Sequence, residues 1–155
     1  MSILLVVIAV ALVFLYSLVI SGGFGAMASY IDLPSLILII LWTVPVLISA
    51  GMLKDFARSF RRAFSTKLVY TREELMCSME AVQLAQRSNW IAGILGFLIA
   101  FVYICKNYGE IGVESFLLNI AVAVIVVIYA AVLNLILLAV YGRLKKRCMD
   151  YMQGE

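Results

Sequence analysis

Phe116–Gly142 reads FLLNIAVAVIVVIYAAVLNLILLAVYG, 27 residues without one Asp, Glu, Lys or Arg. A hydrocarbon core of about 30 Å takes about 20 helical residues to cross, so this run is long enough to span a bilayer with tilt to spare. It does not alternate in polarity, which argues against a barrel strand of about 10 residues. Backbone groups in lipid have no water to bond, so the run is read as a helix.

Three more charge-free stretches precede it: Ile3–Ile20, Leu36–Leu53 and Trp90–Cys105. The third is short, but Asn89 and Lys106 can sit at the two interfaces and lengthen it. Apolar residues make up 65% of the 155 positions and charged residues 14%, well below the roughly 25% charged of a soluble domain. A charge at the centre of a span costs roughly 2.5–3.5 kcal/mol on insertion scales, which is why four gaps in so short a chain mark a membrane. The expectation is one all-α, polytopic domain with spans at 3–20, 36–53, 90–105 and 116–142, a loop at 54–89 and a tail at 143–155. Ala26-Met27-Ala28 resembles a cleavage site, but no Lys or Arg precedes the first stretch and its apolar run exceeds the usual 7–15 residues. That stretch is therefore read as a retained span.

Orientation follows the cations. Lys54, Arg58, Arg61, Arg62, Lys67, Arg72 and Arg87 lie between the second and third stretches; Arg143, Lys145, Lys146 and Arg147 follow the fourth; Lys106 alone lies elsewhere. The positive-inside rule puts both basic regions, and both termini, in the cytoplasm. The outer loops are then Ser21–Ser35 and Lys106–Ser115. The net charge of +3 reports this asymmetry and calls for lipid, not nucleic acid, as the partner. Cys77, Cys105 and Cys148 form no disulfide framework. The chain has no His, and no nucleophile–base pair, phosphate loop or metal cluster stands out, so an enzyme is not expected. No cofactor is expected either.

Local punctuation refines the picture. Ser21-Gly22-Gly23 ends the first helix, Pro34 stands near the start of the second, and Pro45 inside it predicts a kink. In Lys54–Phe64, Phe56, Phe60 and Phe64 repeat every four residues, with Arg58, Arg61 and Arg62 on other faces, the pattern of a helix lying at a membrane surface. With Arg143, Lys145, Lys146 and Arg147 these cations are the candidate lipid-surface contacts. Thr71-Arg72-Glu73-Glu74 has the form of a capping box. No Pro or Gly separates it from Trp90, so one helix from Arg72 to Cys105 is expected, half in water and half in lipid. Leu75, Met79, Val82 and Gln86 are its expected stripe. Ala92, Gly96 and Ala100 form a small-residue ridge that Gly93 widens, and Asn119, Ala123, Ala130 and Asn134 share a face of the fourth helix. Such faces seek another helix. No ionisable side chain lies deep in any stretch, so an ion-conducting role would need an acid from a partner.

Tyr30-Ile31-Asp32-Leu33-Pro34-Ser35-Leu36 resembles the start of the second helix in the MotA/TolQ/ExbB proton-channel family, closest to a shortened MotA-type flagellar stator subunit. Leu53-Lys54-Asp55 before a basic helix, Gly93-Ile94-Leu95-Gly96, and Ile120-Ala121-Val122-Ala123 followed by Tyr129, Asn134 and a basic tail are similar as well. The resemblance implies a bacterial cytoplasmic-membrane protein that forms a homo-pentameric ring. Helices three and four would line the inside, around a single-span MotB/ExbD/TolR-like partner that carries the ion-binding Asp; protons or sodium ions would pass. It further implies an inner face of Gly93, Gly96, Phe97, Ala123, Val126, Val127 and Ala130, with Tyr129 and Asn134 bonding neighbouring helices. Two features depart from the family. Only Lys54–Asn89 stands where the rotor-contacting insert would be, and Phe97, Val126 and Val127 stand where hydroxyl-bearing Thr is the family habit. Valine cannot solvate an ion with an oxygen. A non-conducting ring or scaffold derived from the same family is the alternative.

Overall fold

The computed structural model describes residues 8–9, 11–13, 15–16, 32–65 and 70–153, with the side chains at 108–111, 114, 152 and 153 left aside. The first apolar stretch is helical at its described positions. The rest of it, Ala26–Ala28, Tyr30, Ile31 and Lys67 lie outside the described residues. Four helices follow: α1 (Leu33–Ser49), α2 (Leu53–Phe64), α3 (Arg72–Lys106) and α4 (Tyr108–Gln153). No strand occurs among the described residues.

Two helices, Arg72–Lys106 and Ser115–Tyr151, are long and apolar enough to cross a membrane. Among the described residues a third crossing is reached only if α1 and α2 count together, and they are bent by 105° at their junction. Alone, α1 has 17 residues, about 25 Å of rise. The sequence reading carried this span through to Leu53; the helix stops at Ser49 instead. Its C-cap Ala50 and the left-handed Gly51 (φ 69°) turn the chain, and the Gly51 and Met52 N–H groups bond back to Ile48 and Leu47 carbonyls at 2.9 Å. Glycine tolerates that backbone where other residues do not. Pro45 sits within the helix, so the sharp turn belongs to Gly51.

The long helix α3 is realised over Arg72–Lys106. Thr71 Oγ1 accepts from the Glu74 N–H at 3.4 Å, the first half of the expected capping box. The Glu74 carboxylate lies 3.4 Å from Arg62. Its buried residues include Leu75, Ser78, Val82, Ala85, Asn89, Ala92 and Gly96, steps of three and four that keep one stripe on a partner helix. Leu75 and Val82 of the expected stripe are on it; Met79 and Gln86 are half-buried beside it.

The outer loop expected at Lys106–Ser115 is mostly helix. Asn107 alone separates α3 from α4, and the break inside α4 is at Gly112 (φ 74°, ψ 164°). The expected tail is helix too, running to Gln153. Leu137, Val140, Leu144 and Cys148 are all buried, so the apolar spacing continues past the last lipid-like residue and pins the basic segment to its neighbours. The resulting antiparallel α3–α4 hairpin is the spine. α1 leans on its apolar part, and α2 packs across its charged part, where Leu47, Ala63, Leu75, Val82, Ala85, Leu137, Val140 and Leu144 form one core. A smaller cluster of Ile39, Ala92, Val126 and Ala130 ties α1 to the hairpin.

Candidate functional site

Two places gather the residues that the sequence singled out: the α3–α4 seam and the basic foot of the hairpin. In the seam, Gly93 and Gly96 let two backbones close. A Cβ on Gly93 would lie 2.6 Å from Ala130 Cβ, and one on Gly96 would lie 2.9 Å from Val126 and 3.2 Å from Leu38. Gly93, Gly96, Ala123, Val126 and Ala130 are all buried. Within the subunit they pack helix against helix, the contact that such a small-residue face seeks, and Gly96, Ala123 and Val126 also border a cavity. Close helix contact is the driving force in lipid, and here it is spent inside one chain. Phe97 and Val127 remain half-buried at the edge of the seam, and Phe97 stacks on Phe101 with centroids 5.8 Å apart.

Tyr129 and Asn134 do reach other helices. The Tyr129 hydroxyl accepts from the Asp32 N–H at 3.0 Å, tying α4 to the start of α1, where Ser35 donates to the Asp32 carboxylate. Asn134 engages through its backbone carbonyl, which accepts from Gln86 Nε2 at 3.4 Å. Its side-chain amide, in a residue only 6% exposed, has no hydrogen-bond partner, and neither has the buried Ser88 hydroxyl. Thr43 donates to Asn89 Oδ1 at 3.5 Å, and Gln83 donates to the Tyr141 hydroxyl at 2.9 Å. A band of neutral polar groups therefore crosses the bundle between Gln83 and Asn89. Further along the hairpin, toward the start of α1, Ser35, Gly96, Asn119 and Ala123 border a cavity of about 450 Å³.

At the foot, Arg62 is 5% exposed, not at the surface with the other cations as expected. It donates to the Glu74 carbonyl at 2.9 Å and to Ser78 Oγ at 2.6 Å, lies 3.5 Å from Asp55, and faces the Tyr70 ring at 5.9 Å. Its planar fork meets α2 and α3 groups at once, which a lysine could not do. Arg143 donates to the Ala63 carbonyl at 3.3 Å, and Arg147 donates to the Arg62 and Ser65 carbonyls. The Arg62 and Ala63 carbonyls are among the orphan carbonyls at the negative end of α2, and Ser65 is its C-cap. Arg58, Arg61, Lys145 and Lys146 stay exposed. Sequence reading missed the difference between these two sets of arginines; the one signal was the short Ser59 and Ser78 among longer side chains, leaving room for a guanidinium.

Among the described residues no three His, Cys, Asp or Glu side chains gather as metal ligands. The cysteines are free. The apolar lengths of α3 and α4 present many exposed large side chains, among them Ile94, Ile99, Val102, Leu117, Leu118 and Leu138, as expected of surfaces facing lipid or another membrane helix. No protein family, curated protein or solved structure matches the chain.

Proposed function

We propose that the chain is a channel-type, stator-like subunit of an ion-motive-force-driven complex in a bacterial cytoplasmic membrane. In this reading it has four spans and cytoplasmic termini, and a pentamer of it surrounds a single-span partner that carries the ion-binding Asp. The observation that supports it is the α3–α4 hairpin, whose helices run unbroken from charge-free halves into charged halves packed under α2. A subunit so built can couple events at membrane depth to its cytoplasmic end through rigid helices, yet holds no acid in those halves to bind an ion. The order of motifs from Asp32 to Asn134 is the second support.

Co-expression with a single-span protein bearing a membrane-embedded Asp, gentle extraction and native mass spectrometry test this reading. A ring of this chain retaining the partner is the expected result; monomers alone overturn it.

One observation favours a non-conducting scaffold. The seam is closed by Gly93, Gly96, Val126 and Ala130, and the half-buried Phe97 and Val127 offer no hydroxyl. Proton uptake into liposomes holding the complex separates the two readings: Phe97→Thr with Val127→Thr raises flux if a path exists and leaves it at zero in a scaffold.

A further inference from the structure

We propose that the space enclosed by the α1–α2 bend is a site for one acyl chain of an anionic phospholipid of the cytoplasmic leaflet. A cavity of about 310 Å³ lies there, bordered by Thr43 and Leu47 of α1, Phe56 and Phe60 of α2, and Leu133 and Leu137 of α4. It has roughly twice the volume of the ~150 Å³ apolar cavity known to stay dry and take up benzene. Its polar groups are few, and Thr43 and Asn89 bond each other at 3.5 Å, so the lining offers water few partners. The bordering residues Ile40 and Leu53 are themselves exposed, so the space opens between α1 and α2 to whatever surrounds the protein.

The α2 helix identifies the occupant. Its 105° bend from α1 turns it across the spanning direction, with Phe56 and Phe60 toward the cavity. Lys54, Arg58 and Arg61, spaced four and three apart, are exposed. Positions 54 and 56, or 58 and 60, are about 200° apart on a helix of 3.6 residues per turn, so the cations form a stripe opposite the phenyl rings. One helix thus borders a hydrocarbon space on one face and offers positive charge on the other, the two chemistries of an anionic lipid. The exposed Lys145 and Lys146 of α4 add to the positive foot. This inference requires the membrane placement of the chain and is independent of any motor or ring.

The full chain, reconstituted into equimolar phosphatidylglycerol and phosphatidylcholine and then extracted in mild detergent, is weighed by native mass spectrometry. One bound phosphatidylglycerol per chain is expected. Arg58→Gln and Arg61→Gln each lower its preference over phosphatidylcholine by about fivefold, and Val44→Phe, which fills the space from α1, abolishes retention at unchanged helicity. A chain that emerges bare, holds phosphatidylcholine equally well, or keeps its lipid after Val44→Phe overturns the proposal. Should Val44→Phe fail to fold, Phe60→Trp replaces it: quenching by brominated acyl chains is expected, and resistance to quenching overturns the site.

Discussion

Glycines in this chain are not equivalent, and substitution separates them. At Gly93 the added methyl would collide with Ala130 Cβ at 2.6 Å, a backbone-attached atom that cannot rotate away. Gly93→Ala is expected to destabilise by about 1–3 kcal/mol, read as a lower midpoint in denaturant titration in micelles. At Gly96 the methyl would lie 2.9 Å from Val126 Cγ1, on a side chain that is stiff in a helix, and 3.2 Å from the more flexible Leu38 end, so Gly96→Ala is expected to destabilise as well. Gly142 is helical with nothing within 4 Å; Gly142→Ala is expected to stabilise by roughly 0.5–1 kcal/mol in the same titration. A second residue-scale prediction concerns Arg62. Removing its buried guanidinium strands Ser78 and the Glu74 carbonyl, so Arg62→Met costs about 1.5–3 kcal/mol, whereas the exposed Arg61→Met changes stability little. Equal losses at both positions would refute the distinction. The small-residue spacing of Ala92, Gly96 and Ala100, widened by Gly93, was legible from the sequence as a packing face. The partner was not legible: Leu38 and Ala130 are brought to Gly96 and Gly93 by the bend and the hairpin, which local spacing does not encode.

At the scale of elements, α2 is the part most dependent on others. It is short, and α4 supplies Arg143 and Arg147 to its terminal carbonyls. Short helices are marginal on their own. Arg143→Gln with Arg147→Gln is therefore expected to speed hydrogen exchange of α2 amides by tenfold or more, since each charge-assisted bond contributes about 1.5–3 kcal/mol, while α3 amides near Val82 keep their protection. Uniform acceleration in both helices would mean that the arginines support the whole fold and not α2. The amphipathic character of α2 was readable from its phenylalanine repeat, and the length of α3 from the absence of Gly and Pro before Trp90. A loop and a tail were assigned where the structure has helix, for one reason. The charged segments at 106–115 and 143–155 were read as loop and tail, but charge limits only the lipid-soluble part of a helix. The helix continues through Arg143–Gln153, and helical backbone resumes at Tyr108 with a break at Gly112.

For the whole molecule, the hairpin fixes which ends lie together. Cys77 and Cys148 fall in the charged halves of α3 and α4, and Cys105 at the opposite end of α3. A membrane-impermeant maleimide is expected to modify exposed Cys77 in inverted vesicles and exposed Cys105 in right-side-out cells, with buried Cys148 reacting only after unfolding. Labelling of Cys77 and Cys105 from the same side would invalidate a crossing by α3. By itself the sequence marked which segments are apolar and long enough for lipid: charge-free runs next to cation-rich segments, since the cost of inserting a helix is set by its own residues and their positions along it. It also determined the helical state, since the backbone in lipid must bond itself. Only the tertiary structure decided which small residues close on which, that Arg62 leaves the surface while Arg58 does not, and that a 105° turn at Gly51 encloses a space. Those outcomes depend on contacts between residues far apart in the chain, and such contacts have no local signature.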